Sequence, residues 1–125
     1  MESVKTFFFD SYAFYEIIAG NPNYEQYKKN IGIITTKLNL MELHYGLLRT
    51  EGKKEADKIY DEYTEFVLEI DDETIKKANE FRLANKEKKL SYVDCIGYTL
   101  AKRHNVKFLT GDQQFEGIEG VEFVK

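Results

Sequence analysis

The chain has 125 residues, enough for one core that buries roughly two-thirds of the unfolded surface, and it reads as a single domain over 1–125. Its one cysteine, Cys95, excludes an intrachain disulfide and a cysteine-based zinc cluster, which suits a reducing cytoplasm. A net charge of −4 excludes a protein that holds nucleic acid through a generally basic surface. No apolar stretch approaches the ~20 residues of a membrane span, so the expectation is a soluble, cytoplasmic protein with no membrane partner.

Thr6-Phe7-Phe8-Phe9 predicts a strand buried on both faces, and it ends on the carboxylate of Asp10. A helix follows over 11–19, with Ser11 as its N-cap and Gly20-Asn21-Pro22 as its stop. A short helix over 24–29 carries Tyr24 and Tyr27, and a second strand occupies 31–35. The next helix covers 36–49 and Gly52 closes that unit. Ala56, Ile59, Tyr60, Tyr63 and Phe66 then recur at three and four residues, marking an amphipathic helix over 53–66. A third strand is read over 66–70, after which Asp71 or Asp72 caps a helix reaching 87. A last helix over 91–104 stops at Asn105, a fourth strand over 106–110 runs into Gly111-Asp112, and 121–124 alternates like an edge strand. Strands separated by helices call for a parallel sheet with right-handed crossovers.

That topology brings four acids to one edge. A helix following a parallel strand starts at the carboxyl edge of the sheet, where ligands bind in open α/β folds. Asp10 and Asp112 come directly off strand ends, and Glu42 and Asp94 lie in the first two turns of helices entering from that edge. Glu42 belongs to a polar stripe, Asn39, Glu42, Gly46 and Arg49, on an otherwise apolar helix, so its carboxylate needs a partner. Gly46 removes a side chain from that face, and Gly97 and Ala101 are expected to clear the face beside Asp94. Taken singly, Asn39-x-x-Glu42 and Ser91-x-x-Asp94 match a capping box as well as a ligand pair, and Asp10 or Asp112 reads as a turn residue. Their convergence favours a shared site. At about 5 Å and an effective dielectric of about 20, each pair of charges repels by roughly 3 kcal/mol, so the cluster calls for cations. All-oxygen ligation suits Mg²⁺ or Mn²⁺, and such ions imply phosphodiester hydrolysis.

Four motifs carry a family resemblance: Phe7-Phe8-Phe9-Asp10-Ser11, Asn39 to Leu47 around Glu42, Leu90-Ser91-Tyr92-Val93-Asp94-Cys95-Ile96, and Phe108-Leu109-Thr110-Gly111-Asp112-Gln113-Gln114-Phe115. Together they resemble a PIN domain, and more closely the toxin component of VapBC toxin–antitoxin pairs, over essentially the whole chain. The resemblance implies a three-layer α/β/α sandwich with a five-stranded, mostly parallel sheet in the order 3-2-1-4-5. It implies Asp10, Glu42, Asp94 and Asp112 as metal-binding acids, Thr110 as the small polar residue that orients them, and Ser11 as the hydroxyl after the first acid. The activity implied is a Mg²⁺- or Mn²⁺-dependent ribonuclease acting on RNA, homodimeric and inhibited by a small antitoxin. Where some relatives carry a further acid after the last one, this chain has Gln113-Gln114.

Other readings stay open. An aspartate-nucleophile phosphatase wants a second Asp two residues after Asp10, where this chain has Tyr12, and a receiver domain wants a lysine where Thr110-Gly111-Asp112 stands. A PIN-like module that binds RNA or protein without cutting remains the non-enzyme alternative. His44, His104 and Cys95 read as structural. The lysines at 86, 88 and 89 read as a solvated face, and Lys37 and Arg49 are the cations assigned to phosphate.

Overall fold

A computed structural model describes residues 4–125. The three consecutive phenylalanines of β1 (Lys5–Phe9) set the layers, because successive strand side chains point to opposite faces. Phe7 and Phe9 enter one core with α1 (Ser11–Ala19), α2 (Lys37–Thr50) and α3 (Lys53–Tyr63). Phe8 enters the other with α4 (Asp72–Ala84) and α5 (Tyr92–Arg103). The result is an α/β/α sandwich with β1 inside it.

The sheet is parallel throughout. Its order is β2-β1-β3-β4, with β2 (Ile31–Ile34), β3 (Lys107–Thr110) and β4 (Val121–Phe123). Among the described residues it has four strands where five were expected. The missing strand is 66–70, which is reduced to one bridge between Thr35 and Val67. Thr35 N–H donates to Phe66 O and Leu68 N–H to Thr35 O, and the ladder stops there. Four residues past the bridged Val67, Asp71 is already the N-cap of α4. The bridge still lies outside β2, where the third strand was placed.

Helix ends differ from the expected ones for local reasons. Asp10, not Ser11, occupies the N-cap position of α1 with extended backbone, and Gly20 closes the helix at φ +79°. The short helix after it is a 3-10 turn over Pro22–Tyr27. The helix from Lys53 stops at Tyr63 and tightens to a 3-10 turn over Thr64–Phe66, and α4 ends at Ala84, three residues early. Gly97 and Ala101 clear no ligand face. Both are buried, and a Cβ on Gly97 would stand 2.8 Å from the Phe8 ring and 3.0 Å from that of Phe108, so this glycine lets α5 settle on the sheet.

Asp71 ties the two helices of the second layer together. Its Oδ1 accepts from Thr74 N–H at 2.9 Å and from Arg103 Nη1 at 2.8 Å. The Thr74 bonds, then Arg103, hold its carboxyl at about 2, below the usual 3.8. A depressed folded pKa adds stability that is complete above the unfolded value and lost as pH falls through the folded one. Asp71→Asn, which keeps a capping side chain, is therefore expected to lose less melting temperature than wild type between pH 3.8 and about 2. Parallel acid limbs for the two proteins would refute this.

Candidate active site

Asp10 leaves β1 at the carboxyl edge and is 4% exposed. Its Oδ2 accepts from Thr110 Oγ1 at 2.7 Å, so the end of the neighbouring strand β3 fixes the carboxylate. Asn39 Nδ2 reaches its Oδ1 at 3.4 Å. Burial first, then the charge of Asp94 and more weakly that of Glu42, push the Asp10 carboxyl from 3.8 to about 7, against the lowering effect of the bonds from Thr110 and Ser11. A carboxylate so placed gains strongly from a cation.

Glu42 stands in the second turn of α2, half-buried, and accepts from Ser11 Oγ at 2.7 Å. The hydroxyl after the first acid thus bridges α1 to α2. Asn39–Glu42 is not a capping pair. Thr36 is the cap, accepting from Asn39 N–H at 3.1 Å. Asn39 is fully buried, and its side chain spans Thr36 Oγ1 (2.6 Å), Ser11 Oγ (3.3 Å) and Asp10. Sequence reading missed this hub. The only signal for it is an amide on the same helical stripe as Glu42.

Asp94 does form the capping box with Ser91: Ser91 N–H donates to Asp94 Oδ2 at 2.9 Å and Asp94 N–H to Ser91 Oγ at 3.0 Å. Its pKa is nonetheless raised, by burial first and then by Asp112 and Glu42, which outweigh the Ser91 bonds. Asp112 follows β3. Its Oδ1 accepts from Gln114 N–H at 3.0 Å and its own N–H donates to Thr110 Oγ1 at 3.1 Å. Thr110 therefore touches both acids of the strand ends.

The four carboxylates share one electrostatic neighbourhood: Asp10 feels Asp94 and Glu42, and Asp94 feels Asp112 and Glu42. Among the described residues, no three His, Cys, Asp or Glu side chains form a ready-made metal cage. The cluster is open, with Asp94 turned toward Ser91. Glu42, Asp94 and Asp112 each commit one carboxylate oxygen to the protein, which leaves a second for a ligand. Such an all-oxygen donor set fits a hard divalent ion. Beside Glu42 an open hollow of about 530 Å³ is walled by Ser11, Tyr15, Met41 and Tyr45.

The space above Gly46 is filled by the Tyr15 hydroxyl, which donates to Glu42 O at 3.0 Å, so a side chain there would collide with it. Of the cations assigned to phosphate, Arg49 lies over the Tyr45 ring at 5.9 Å, two turns past Glu42, and Lys37 borders a hollow with Val67 to Ile70. His44 bonds Asp57 across α2 and α3 at 2.7 Å, and Cys95 is buried with its thiol pushed up to about 11 by burial; both fit structural roles.

Parallel strands that deliver carboxylates to one sheet edge, between two helical layers, define a class of α/β domain with an acidic edge site. The PIN domain model matches residues 7–121, and the chain belongs to that family, whose members are nucleases. No curated protein matches it in sequence. Among solved structures, VapC20 of Mycobacterium tuberculosis, a sarcin–ricin loop cleaving toxin, superposes with a TM-score of 0.78 at 16% identity over 95% of this chain and 99% of that one. A DNA-bound VapBC from Salmonella typhimurium gives 0.72 at 19% identity over 95% and 96%. A toxin–antitoxin complex from Klebsiella pneumoniae gives 0.70 at 18% identity over 91% and 93%. At these identities the likeness is one of fold. Among the described residues no helix is long and apolar enough to cross a membrane.

Proposed function

We propose that the chain is a divalent-metal-dependent endoribonuclease that hydrolyses RNA phosphodiester bonds, the toxin of a type II toxin–antitoxin pair. The observation that carries this reading is Asp10, buried at the sheet edge, held by Thr110, and destabilised as an anion by burial and by Asp94 and Glu42. Stability alone would not select that arrangement. Asp10, Glu42, Asp94 and Asp112 are the residues to hold Mg²⁺ or Mn²⁺. When bound, the cation lowers the pKa of a water and offsets charge on the phosphate. Thr110 fixes the Asp10 carboxylate, Ser11 fixes that of Glu42, and Asn39 locks the strand end to α2. A toxin–antitoxin complex is among the structures that share the fold, and a small antitoxin, a homodimeric state and a cytoplasmic location are part of the proposal.

The capping box of Asp94 favours one second reading, a PIN-like module that binds RNA without cutting. Incubating antitoxin-free protein with mixed RNA, with Mg²⁺ or Mn²⁺ and with chelator, separates the two. Cleavage that needs metal and disappears in Asp94→Asn is the expected result. RNA binding with no cleavage under any metal would favour the module.

A further inference from the structure

Beyond the acids, the same edge carries a cationic hollow that the nuclease reading does not use. It measures about 360 Å³, lies at the end of α4 and the loop after it, and is lined by Asn79, Arg82, Leu83, Lys86, Lys88 and Leu90. Three cations and an amide face it, and among the described residues no carboxylate lines it. Among the described residues none of these three cations is in an ion pair, whereas Arg103 at the other end of the layer is paired with Asp71. Arg82 is half-buried and fixed: its guanidinium lies 4.0 Å from the centre of the Tyr92 ring, and its Nε donates to Leu90 O at 3.2 Å. A solvated lysine face would not organise a guanidinium in this way. Tyr92 itself is 60% exposed.

The hollow is bonded to the acidic edge. Lys88 Nζ donates to Gln114 O and Lys89 N–H to Gln114 Oε1, each at 3.2 Å, and Gln114 N–H donates to Asp112 at 3.0 Å. On the other side Tyr92 precedes Asp94 by two residues on α5. A polyanion approaching four carboxylates on a chain of net charge −4 needs local cations. An arginine stacked on an exposed aromatic ring is a surface that takes phosphate and base together in single strands.

We infer that Arg82, Lys86 and Lys88, with Tyr92, bind the phosphate and base of a single-stranded RNA next to the phosphodiester that the acids address. This rests on the nuclease reading and extends it to the surface that holds the substrate beside the cut, an arginine-tyrosine stack flanked by two lysines.

The test is fluorescence anisotropy of a short labelled single-stranded RNA with the full chain in chelator, where cutting is suppressed. Lys86→Glu and Lys88→Glu are each expected to weaken binding about tenfold, and each lost phosphate contact to lower the log–log salt slope by roughly 0.7. Tyr92→Ala, at an exposed position, is expected to weaken binding about fivefold or more. Lys58→Glu, an exposed position on α3, is the charge control and should leave affinity within twofold. Equal losses in Lys58→Glu and the hollow variants, or no loss in any, would overturn the inference, as would equal affinity for duplex RNA. A chain that cuts RNA with metal yet binds it equally well in the hollow variants refutes this inference alone. Binding through this face with no metal-dependent cutting refutes the nuclease reading alone.

Discussion

Asp10→Asn is expected to lower RNA cleavage by roughly 10²–10³-fold, the effect of removing several kcal/mol of charge stabilisation from the reacting site. It is also expected to make the metal-free protein more stable. The folded-state pKa of Asp10 is raised, from 3.8 to about 7. Below the unfolded value both states are protonated and the group costs nothing. As pH rises through that window, the unfolded chain loses its proton first and stability falls. Above about pH 7 the penalty is complete, with an upper bound of about 4 kcal/mol. An asparagine carries no such charge, so in chelator at pH 8 the variant is expected to melt several degrees above wild type, and at pH 4 at nearly the same temperature. Lost activity with gained stability is the signature of a residue retained for function. Unchanged cleavage, or a lower melting temperature at pH 8, would contradict the assignment.

Phe8→Ala tests the packing that places the acidic edge. Phe8 is 0% exposed and stacks on Phe108 at 5.5 Å, with Gly97 of α5 directly above both rings. Truncating a fully buried phenylalanine costs about 3–5 kcal/mol, a large share of the roughly 5–15 kcal/mol that holds a domain of this size together. The cavity would open under α5, so loss of the first turn that carries Asp94 is expected along with it. Urea unfolding should show a lower midpoint at nearly unchanged slope. A loss under about 1 kcal/mol would mean that the second layer is not anchored on this stack.

The pattern Phe7-Phe8-Phe9-Asp10 was readable because a strand with period two must send Phe8 to one core and Phe7 and Phe9 to the other, and because a parallel strand must deliver its next residue to the ligand edge. The same logic brought Glu42, Asp94 and Asp112 to one neighbourhood. What was not readable depends on contacts distant in sequence. The run at 66–70 has strand composition, yet it pairs over one residue rather than five and gives way to the α4 cap at Asp71, an outcome its composition does not mark. Asp10 and Ser11 are both good caps, and only the end of β1 decides between them. Gly97 looks the same in sequence whether it clears space for a ligand or for two rings; the rings are 89 and 11 positions away. Asn39 joins three partners, two of them, Asp10 and Ser11, at the turn from β1 into α1, so no local pattern announces it. The lysines at 86, 88 and 89 resemble any solvated charge run until Arg82 is seen stacked on Tyr92 beside the acids.

Binding of a divalent cation at the open acidic edge can be measured directly. Calorimetric titration of Mn²⁺ into the metal-free chain and into Asp10→Asn reads that binding without RNA and without reference to activity. Saturable binding to wild type, weakened at least tenfold in the variant, is expected. No binding to wild type, or equal binding to both proteins, would mean that the four acids do not form a metal site.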